Sequence, residues 1–243
     1  MRSLTFILFF FVLFCNVVFS AASEYQNDSS MTVWYHMNEG SGTTTADASG
    51  NGRTGTLYNN PTWITGKFGN ALYFDINFEK YISTASFSIP DTGALTFEFW
   101  GNVVTSPYFH TFISDGNPGT SGFIRIYCNP SVQNLYFSYA NGTAPTGVIV
   151  TFSNFFLPDD INKWVHVAIV ADYTNRTIKA YKNGVLFGTY NAPHPMLFPN
   201  TNKPKYIGIL KPTDPNLFAG TLDEVAIYNR VKSSYEIWAD ANA

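Results

Sequence analysis

Charged residues are scarce in this chain. Asp, Glu, Lys and Arg make up 13% of its 243 residues, and the formal net charge is -3. The Lys and Arg residues form no basic run, so the sequence lacks the electrostatic footprint of a nucleic-acid-binding protein. We therefore predict no nucleic-acid partner.

Cysteine is almost absent, since the chain contains only Cys15 and Cys128. Cys15 lies in an N-terminal apolar segment that we expect to be removed, so no intrachain disulfide is predicted. Cys128 ends the apolar run 122–128, which favours a buried thiol over a reactive one. Stability must then come from the hydrophobic core, with or without a bound ion.

A long apolar run occurs at one place, the N-terminus. Arg2 gives a positive start, residues 4–19 are almost wholly apolar, and residues 20–22 are small. This pattern predicts a secretory signal peptide over residues 1–22, because a membrane-spanning helix needs about 20 apolar residues. An uncleaved membrane anchor is the alternative. We expect a secreted, extracellular protein with no membrane span once the signal is removed.

Catalytic motifs are also missing. Two carboxylates on one strand face, as glycoside hydrolases use, require i, i+2 or i, i+4 spacing. Glu98 stands alone in its strand, whereas Asp223 and Glu224 are adjacent and should face opposite ways. Neither a Gly-x-Ser-x-Gly nor a His-Glu-x-x-His pattern occurs, nor a phosphate-binding glycine loop. We therefore predict that the protein is not an enzyme.

Aromatic residues, in contrast, are abundant at 17%, which is typical of sheet proteins because such side chains pack well on a pleated surface. Short alternating runs recur between Gly, Pro, Asn, Asp and Ser. In the run 95–104, Phe97 and Phe99 should share one face and Glu98 and Trp100 the other. Many short strands without a βαβ rhythm predict an all-β sandwich or barrel.

Two local signals define the later part of the chain. Asn183-Gly184 between two alternating runs predicts a hairpin with a type I′ turn, because both residues tolerate positive φ. Ser233 with Glu236 forms the pattern of a capping box. It predicts a short C-terminal helix of one or two turns through Trp238.

Five sequence blocks carry a family resemblance over nearly all of the chain after the signal. They are WYHMNEG (34–40), DASGNG (47–52), GKFGNAL (66–72), WVHVA with YKNG (164–168, 181–184) and GTLDEVAIYNR (220–230). In this order they resemble laminin-G-like domains of the concanavalin A-like lectin/glucanase kind. The resemblance implies a two-sheet antiparallel jelly-roll sandwich with a short C-terminal helix.

The predicted organisation is simple. Residues 1–22 are the signal peptide, residues 23–30 form a polar leader with little structure, and residues 31–243 form one laminin-G-like/concanavalin A-like jelly-roll domain. No composition shift or repeat divides that last segment.

The resemblance also implies a structural ion. Glu39, Asp47 and Asp223 lie in blocks that related domains bring together at one end of the sandwich, and Ca²⁺ takes six to eight oxygen ligands. We expect such an ion to tie the N-terminal loop to the last strand. In the alternative, Asp47 makes an Asx-type turn, Asp223 bonds to the facing loop and Glu39 is solvated.

Five other residues predict a sugar site. Sugars stack on aromatic rings while carboxylates and other polar groups bind their hydroxyls. Trp100 and Glu98 share the more polar face of their strand, and Arg125, Tyr127 and Tyr136 come from nearby strands. We expect these side chains to line a concave ligand-binding face, unless Trp100 points inward.

These observations predict a secreted, non-catalytic binding module that recognises carbohydrate, as a free glycan or on a cell-surface glycoprotein. The alternative is a protein–protein adhesion module at the cell surface, for which the aromatic loop 108–110 is a candidate contact. A third possibility is a glycoside hydrolase or polysaccharide lyase whose catalytic residues come from distant strands.

Overall fold

The computed structural model describes Tyr25 and residues 28–89, 93–116, 123–141, 147–197, 202–213 and 216–243. In this part of the chain, the strands form two eight-stranded antiparallel sheets, and one α-helix lies near the C-terminus. The predicted signal peptide, residues 1–22, lies outside the described residues.

Sheet A contains the longest strands. Its members are β1 (Met31–Tyr35), β4 (Thr62–Thr65), β5 (Asn70–Phe74), β7 (Ala94–Val103), β12 (Trp164–Asp172), β13 (Thr177–Lys182), β14 (Val185–Asn191) and β16 (Gly220–Tyr228). They are hydrogen-bonded in the order β14-β13-β12-β7-β16-β5-β4, and β1 also pairs with β16.

Sheet B contains the remaining strands. Its members are β2 (Thr44–Thr45), β3 (Gly55–Tyr58), β6 (Tyr81–Thr84), β8 (His110–Ser114), β9 (Ile124–Asn129), β10 (Asn134–Tyr139), β11 (Val148–Phe152) and β15 (Tyr206–Ile207). Their order is β11-β10-β9-β8-β15-β6-β3-β2. Strands that pair within a sheet can be distant in sequence, as β7 and β16 of sheet A are. The two sheets form the predicted sandwich.

The hydrophobic core lies between the sheets, as the alternation in β7 predicts. Phe97 and Phe99 of β7 are buried there, and their ring centroids lie 6.3 Å from Phe137 and 4.6 Å from Phe112 of sheet B. Cys128 is part of the same core. The predicted burial of its thiol is confirmed.

The two local signals are also confirmed. Asn183 and Gly184 join β13 to β14 with φ angles of 49° and 80°, as a type I′ turn requires. Ser233 caps the helix α1 (Ser234–Ala241), and Glu236 completes the capping box. The helix continues beyond Trp238 to Ala241.

Helix α1 and the N-terminal segment cover the outer face of sheet A. Ile237 of α1 packs on Ala168, Val170 and Tyr181. Tyr25 is buried, and its hydroxyl lies 3.1 Å from His166 Nε2. The polar composition of residues 23–30 did not predict this contact, which fixes part of the leader to the sheet.

A buried ionic triad holds this cover in place. The Lys232 ammonium donates hydrogen bonds to both Glu98 of β7 and Asp240 of α1, and all three residues are buried. The residues opposite Glu98 on the neighbouring strands are Ala168 and Ala226. Because alanine is small, it leaves room above Glu98 for the lysine side chain.

We predict that Lys232→Ala lowers the free energy of unfolding by about 3–5 kcal/mol, because removing one partner of a buried ionic network leaves the buried carboxyl groups of Glu98 and Asp240 without their hydrogen-bond donor. Denaturant unfolding measures this loss. Lys163→Ala is the matched control, because Lys163 is exposed and such changes stay within about 0.5 kcal/mol. Equal effects of the two substitutions would contradict the role of the triad.

The triad should also make stability depend on pH. Burial raises the pKa of Glu98 from 4.5 to about 8, so the folded state retains a proton that the unfolded state loses. This contribution to stability is complete below pH 4.5 and is lost as the pH rises towards 8. Relative to Glu98→Gln, which cannot ionise, the natural protein should lose up to ~1.4 kcal/mol per pH unit in that window.

Unfolding curves of the natural protein and of Glu98→Gln, recorded at several pH values between 4.5 and 8, give the difference in their free energies of unfolding directly. Titrating groups that do not interact with Glu98, such as His110, are common to both proteins and cancel in the subtraction. A constant difference across the window would show that Glu98 is ionised in the folded state.

Candidate functional site

The five predicted sugar-binding residues lie in two different sheets. Glu98 and Trp100 are on the outer face of sheet A, whereas Arg125, Tyr127 and Tyr136 are on sheet B. The structure therefore corrects the expectation that all five line one face. A sequence pattern within single strands gives no information on which sheet a strand joins.

Glu98 and Trp100 are covered by other parts of the chain. Glu98 is fully buried against Lys232, and Trp100 is 5% exposed. The Lys67 ammonium lies 4.3 Å from the centroid of the Trp100 ring, and Phe68 packs edge-on against it. A sugar cannot stack on Trp100 unless these side chains move.

Arg125, Tyr127 and Tyr136 project from the outer face of sheet B, because the alternating residues Ile126 and Phe137 point into the core. Tyr127 of β9 and Tyr136 of β10 are direct cross-strand partners. Their rings stack with centroids 4.8 Å apart and planes 13° apart. This pairing is the local consequence of the register of the two strands.

Phe109 completes the group, which we call the Phe109 cluster (Phe109, Arg125, Tyr127 and Tyr136). Its ring lies edge-on to Tyr127 and Tyr136, with centroids 5.6 and 5.8 Å away. The Arg125 guanidinium lies 4.1 Å from the Tyr127 ring centroid. Phe109 is 40% exposed and Tyr136 is half-buried, whereas Tyr127 is buried beneath its neighbours.

Hydrogen bonds fix the polar atoms of this cluster. Arg125 donates to Thr111 Oγ1 through Nε and Nη2, at 3.1 and 2.7 Å. Asn134 donates to the Tyr136 hydroxyl at 3.0 Å, and Ser138 donates to the Tyr127 hydroxyl at 3.3 Å. The rings and guanidinium are thereby held in place on the sheet.

The aromatic loop 108–110 divides between surface and core. Tyr108 and Phe109 are exposed, whereas His110 is buried and packs edge-on against Phe218. Burial lowers the pKa of His110 to about 4, so the imidazole is neutral at physiological pH. Two of the three side chains thus remain available to a partner.

A second aromatic group on sheet B was missed by the sequence analysis. We call it the Tyr58 column (Tyr58, Tyr81 and Tyr206). Tyr58 and Tyr81 stack with centroids 4.7 Å apart, and Tyr206 lies edge-on to Tyr81 at 6.0 Å. In β3 and β6 the inward residues are Leu57 and Ile82, so their neighbours Tyr58 and Tyr81 point outward. This alternation was the available sequence signal, but each strand has only four residues, which is too short for the pattern to be distinctive.

The two groups belong to the same surface. One lateral row of outward residues crosses the sheet through consecutive strand pairs, namely Thr56, Ser83, Tyr206, Ser114, Arg125, Ser138 and Ile149. The row contains one member of each group, Tyr206 and Arg125. The outer face of sheet B is therefore a continuous candidate surface with an aromatic group on each side.

A pocket of about 440 Å³ lies beside Tyr206. Its lining residues are Asp115, Gly116, Lys203, Pro204, Tyr206, Lys211, Pro212 and Thr213. Another depression, of about 390 Å³, lies near Ser131 and has neither aromatic nor charged residues in its lining. The pocket beside Tyr206 is thus the more suitable of the two for a specific ligand.

The three predicted calcium ligands are engaged with backbone N–H groups. Asp47 accepts hydrogen bonds from the amides of Trp34, Ser49 and Arg53, which includes the Asx-type turn. Glu39 accepts from Ala46, and Asp223 accepts from Phe68.

Within the described ranges, no group of three or more Asp, Glu, His or Cys residues is arranged to hold a metal. The three carboxylates as placed do not fit a calcium site built from all of them. Thermal unfolding with and without the metal is a direct test of the calcium ion that the resemblance implies.

The side chains of Asp223 and Glu224 bond to different segments of the chain at a bulge in β16, where Glu224 has a φ of 51°. Glu224 accepts from Trp34 Nε1 at 2.7 Å and contacts His36 Nδ1 at 2.9 Å. Burial, and then the Glu224 charge, raises the pKa of Asp223 to about 8. These carboxylates join the last strand to β1 and to the turn before β5.

We predict that neither EDTA nor excess Ca²⁺ shifts the thermal unfolding midpoint, because Glu39, Asp47 and Asp223 already have hydrogen-bond partners. A ligand that binds only the folded state adds about 2.7 kcal/mol of stability at one hundred times its Kd, so binding would be visible. A calcium-dependent rise in the midpoint that Asp47→Asn abolishes would contradict this prediction. Asp75→Asn is the control, since it changes a carboxylate elsewhere.

Within the residues that the structure covers, no helix is sufficiently long and apolar to cross a membrane.

Comparison with solved structures identifies the same architecture in domains of other proteins. Domain 4 of an extracellular family 43 arabinanase from Geobacillus stearothermophilus, solved with arabinotriose, is 20% identical with a TM-score of 0.65. The match covers 87% of this chain and 98% of that one.

Two toxin domains are similar over half of their length. The binding domain of Paraclostridial mosquitocidal protein 1 is 17% identical with a TM-score of 0.66, and the match covers 88% of this chain and 52% of that one. The botulinum neurotoxin serotype D ligand-binding domain, solved with N-acetylneuraminic acid, is 17% identical with a TM-score of 0.63. The match covers 88% of this chain and 50% of that one.

No curated protein matches the sequence significantly. The family model described as "Concanavalin A-like lectin/glucanases superfamily" matches residues 76–238, which is more than half of the chain and extends from before β6 into α1. The resemblance and the fold class predicted from the sequence are confirmed, and the chain belongs to the concanavalin A-like lectin/glucanases superfamily.

Proposed function

We propose that this chain is a secreted, non-catalytic module that binds carbohydrate on the outer face of sheet B. The observation that carries the proposal is the Phe109 cluster, which combines accessible aromatic rings with fixed polar groups. Sugars bind such surfaces through their apolar ring faces, while hydroxyls and charged groups bond to their hydroxyls.

The positioning of the cluster favours recognition. Tyr136 and Phe109 offer accessible ring surface, and Arg125 lies beside them with its guanidinium tied to Thr111. Because the rings are already packed and hydrogen-bonded, little side-chain freedom is lost on binding. A preorganised platform of this kind suits a sugar chain lying flat on the sheet.

The contrast between the sheets favours the same location. The outer face of sheet A is covered by Tyr25, by the Lys232 segment and by α1, so its aromatic and acidic residues are buried. On sheet B, Tyr58, Phe109 and Tyr136 retain accessible surface. The predicted partner, a glycan or a cell-surface glycoprotein, would therefore meet sheet B.

The comparisons support the ligand class. The arabinanase domain was solved with arabinotriose and the serotype D toxin domain with N-acetylneuraminic acid. The match covers 98% of the arabinanase domain and 50% of the toxin domain. We therefore place carbohydrate ahead of other ligands.

A second candidate function is protein adhesion through sheet A. Strand β14 is an edge strand in the described sheet, and Val185, Leu186 and Phe187 on it are exposed. Nearby, Tyr235 and Trp238 of α1 are 74% and 50% exposed. An apolar edge beside exposed aromatic rings is suited to pairing with another chain.

We predict that Tyr136→Ala and Phe109→Ala each weaken glycan binding about fivefold or more, because truncation of a central aromatic contact costs more than about 1 kcal/mol. A glycan array with the natural protein, with and without Ca²⁺, identifies the ligand. Titration calorimetry of each variant with that ligand then gives the affinities, after thermal unfolding has shown that the variants fold.

Trp238→Ala is the matched control, because it removes an exposed aromatic ring from the other side of the sandwich. If Trp238→Ala weakens glycan binding and Tyr136→Ala does not, the surface around α1 is the binding site. An array without any bound glycan would favour the adhesion function. Release of reducing sugar from a polysaccharide panel would show that the protein is an enzyme.

A further inference from the structure

The pocket beside Tyr206 has a shape that depends on Gly116. This glycine has a φ of +76°, and a Cβ atom there would lie 2.6 Å from Tyr206 Cε2 and 3.5 Å from Lys211 Cβ. The tyrosine ring thus packs directly on the Gly116 backbone, with the base of the Lys211 side chain on the other side. Any larger residue at this position would therefore displace the Tyr206 ring.

The pocket has an uneven charge. Lys203 and Lys211 both line it, and within the described part of the chain neither forms an ion pair. Asp115, the one acidic residue in the lining, is buried and accepts a hydrogen bond from the Ile124 amide at 3.3 Å. Two lysine residues without an ion-pair partner in the described part of the chain therefore line the pocket.

The positive charge of Lys205, behind the pocket, opposes the negative charge of Asp115. Lys205 is buried, and its ammonium donates to the carbonyls of Phe87 and Lys203, both at 2.8 Å. Burial lowers the pKa of Lys205 to about 8, while the Asp115 charge acts to raise it. Because Lys205 offsets Asp115, the positive charge of Lys203 and Lys211 is left for a ligand.

We propose that this pocket binds the carboxylate-bearing unit of an acidic saccharide, with its ring against Tyr206 and its carboxylate between Lys203 and Lys211. The inference rests on the proposed function, since it names the class of sugar that the outer face of sheet B selects. A phosphate or sulfate ion alone would satisfy the lysines but would leave the aromatic wall without a partner.

The position of the pocket agrees with a chain of sugars. Tyr206 is the inner end of the Tyr58 column, whose outer end, Tyr58, is 43% exposed. On the other side, Tyr206 and Arg125 are separated by one strand, β8, which is a distance of ~10 Å for two strand spacings. A saccharide held at the pocket can thus reach either aromatic group.

The local lysine pair matters because the whole protein does not attract anions. The formal net charge is -3, so long-range steering of an acidic polymer is unfavourable. Selection of a carboxylate must come from the two ammonium groups at short range. The affinity for the acidic ligand should therefore fall as salt is added.

The test uses an array of carboxylate-bearing glycans, each printed beside its methyl ester, together with inorganic phosphate as a free competitor. The natural protein should bind at least one acidic form about tenfold more tightly than its ester. The double variant Lys203→Met/Lys211→Met should lose that preference and its salt dependence while binding the esters as before. Lys163→Met is the control and should behave as the natural protein does.

Three outcomes would overturn the inference. Equal binding of every acid and ester would show that the pocket does not select a carboxylate. An unchanged preference in the double variant would place the selection elsewhere. Inhibition of acidic glycan binding by phosphate at equal concentration would make the site a general anion site.

Failure of the inference and failure of the proposed function give different results. If carbohydrate binding on sheet B holds and the pocket inference fails, Tyr136→Ala still weakens binding of acids and esters alike. If carbohydrate binding on sheet B fails, Tyr136→Ala and the double variant both leave the array unchanged. Gly116→Ala adds a structural check, since it should displace Tyr206 and weaken acidic glycan binding without any change in charge.

Discussion

The buried ammonium group of Lys232 is the interaction on which the arrangement of the outer faces depends. It joins Glu98 in the middle of sheet A to Asp240 in α1, and it lies 4.2 Å from the Tyr228 ring centroid and 5.5 Å from that of Tyr25. One cation thus links the N-terminal segment, the central strand and the C-terminal helix. Because a buried charge is stable only when it is paired, the segment that follows β16 must cross the sheet. The consequence is that much of the outer face of sheet A is covered by the chain itself, and the outer face of sheet B is the surface that we propose for carbohydrate.

Much of the fold could be predicted because its signals are local. The alternation of Phe97 and Phe99, the turn at Asn183-Gly184 and the cap at Ser233 each depend on residues within a few positions of one another, and each is confirmed. The cover on sheet A could not be predicted in the same way. Glu98 is acidic and its alternation suggests a solvated face, but its partner Lys232 is 134 residues away in sequence. A single sequence contains no indication that the two side chains meet.

The candidate site shows the same limit. Tyr127 and Tyr136 could be placed on one surface because β9 and β10 are successive strands, whereas Tyr58, Tyr81 and Tyr206 come from strands far apart in sequence and meet only through the order of sheet B. The pocket beside Tyr206 depends on the conformation of Gly116 and on two lysines in a later loop. The aromatic and polar residues expected to bind sugar could therefore be named from the sequence, but they could not be assigned to faces.

Tyr25 and α1, which lie near the two described ends of the chain, are both held against the outer face of sheet A. The aromatic surface of sheet B lies on the opposite side of the sandwich. A tether joined after residue 243, such as a resin in the laboratory, therefore leaves from the side of the molecule that carries sheet A. A module attached in this way presents the outer face of sheet B outward. If that face binds carbohydrate as we propose, several copies on one support can contact a polymer at the same time, and weak single contacts then add up to firm attachment.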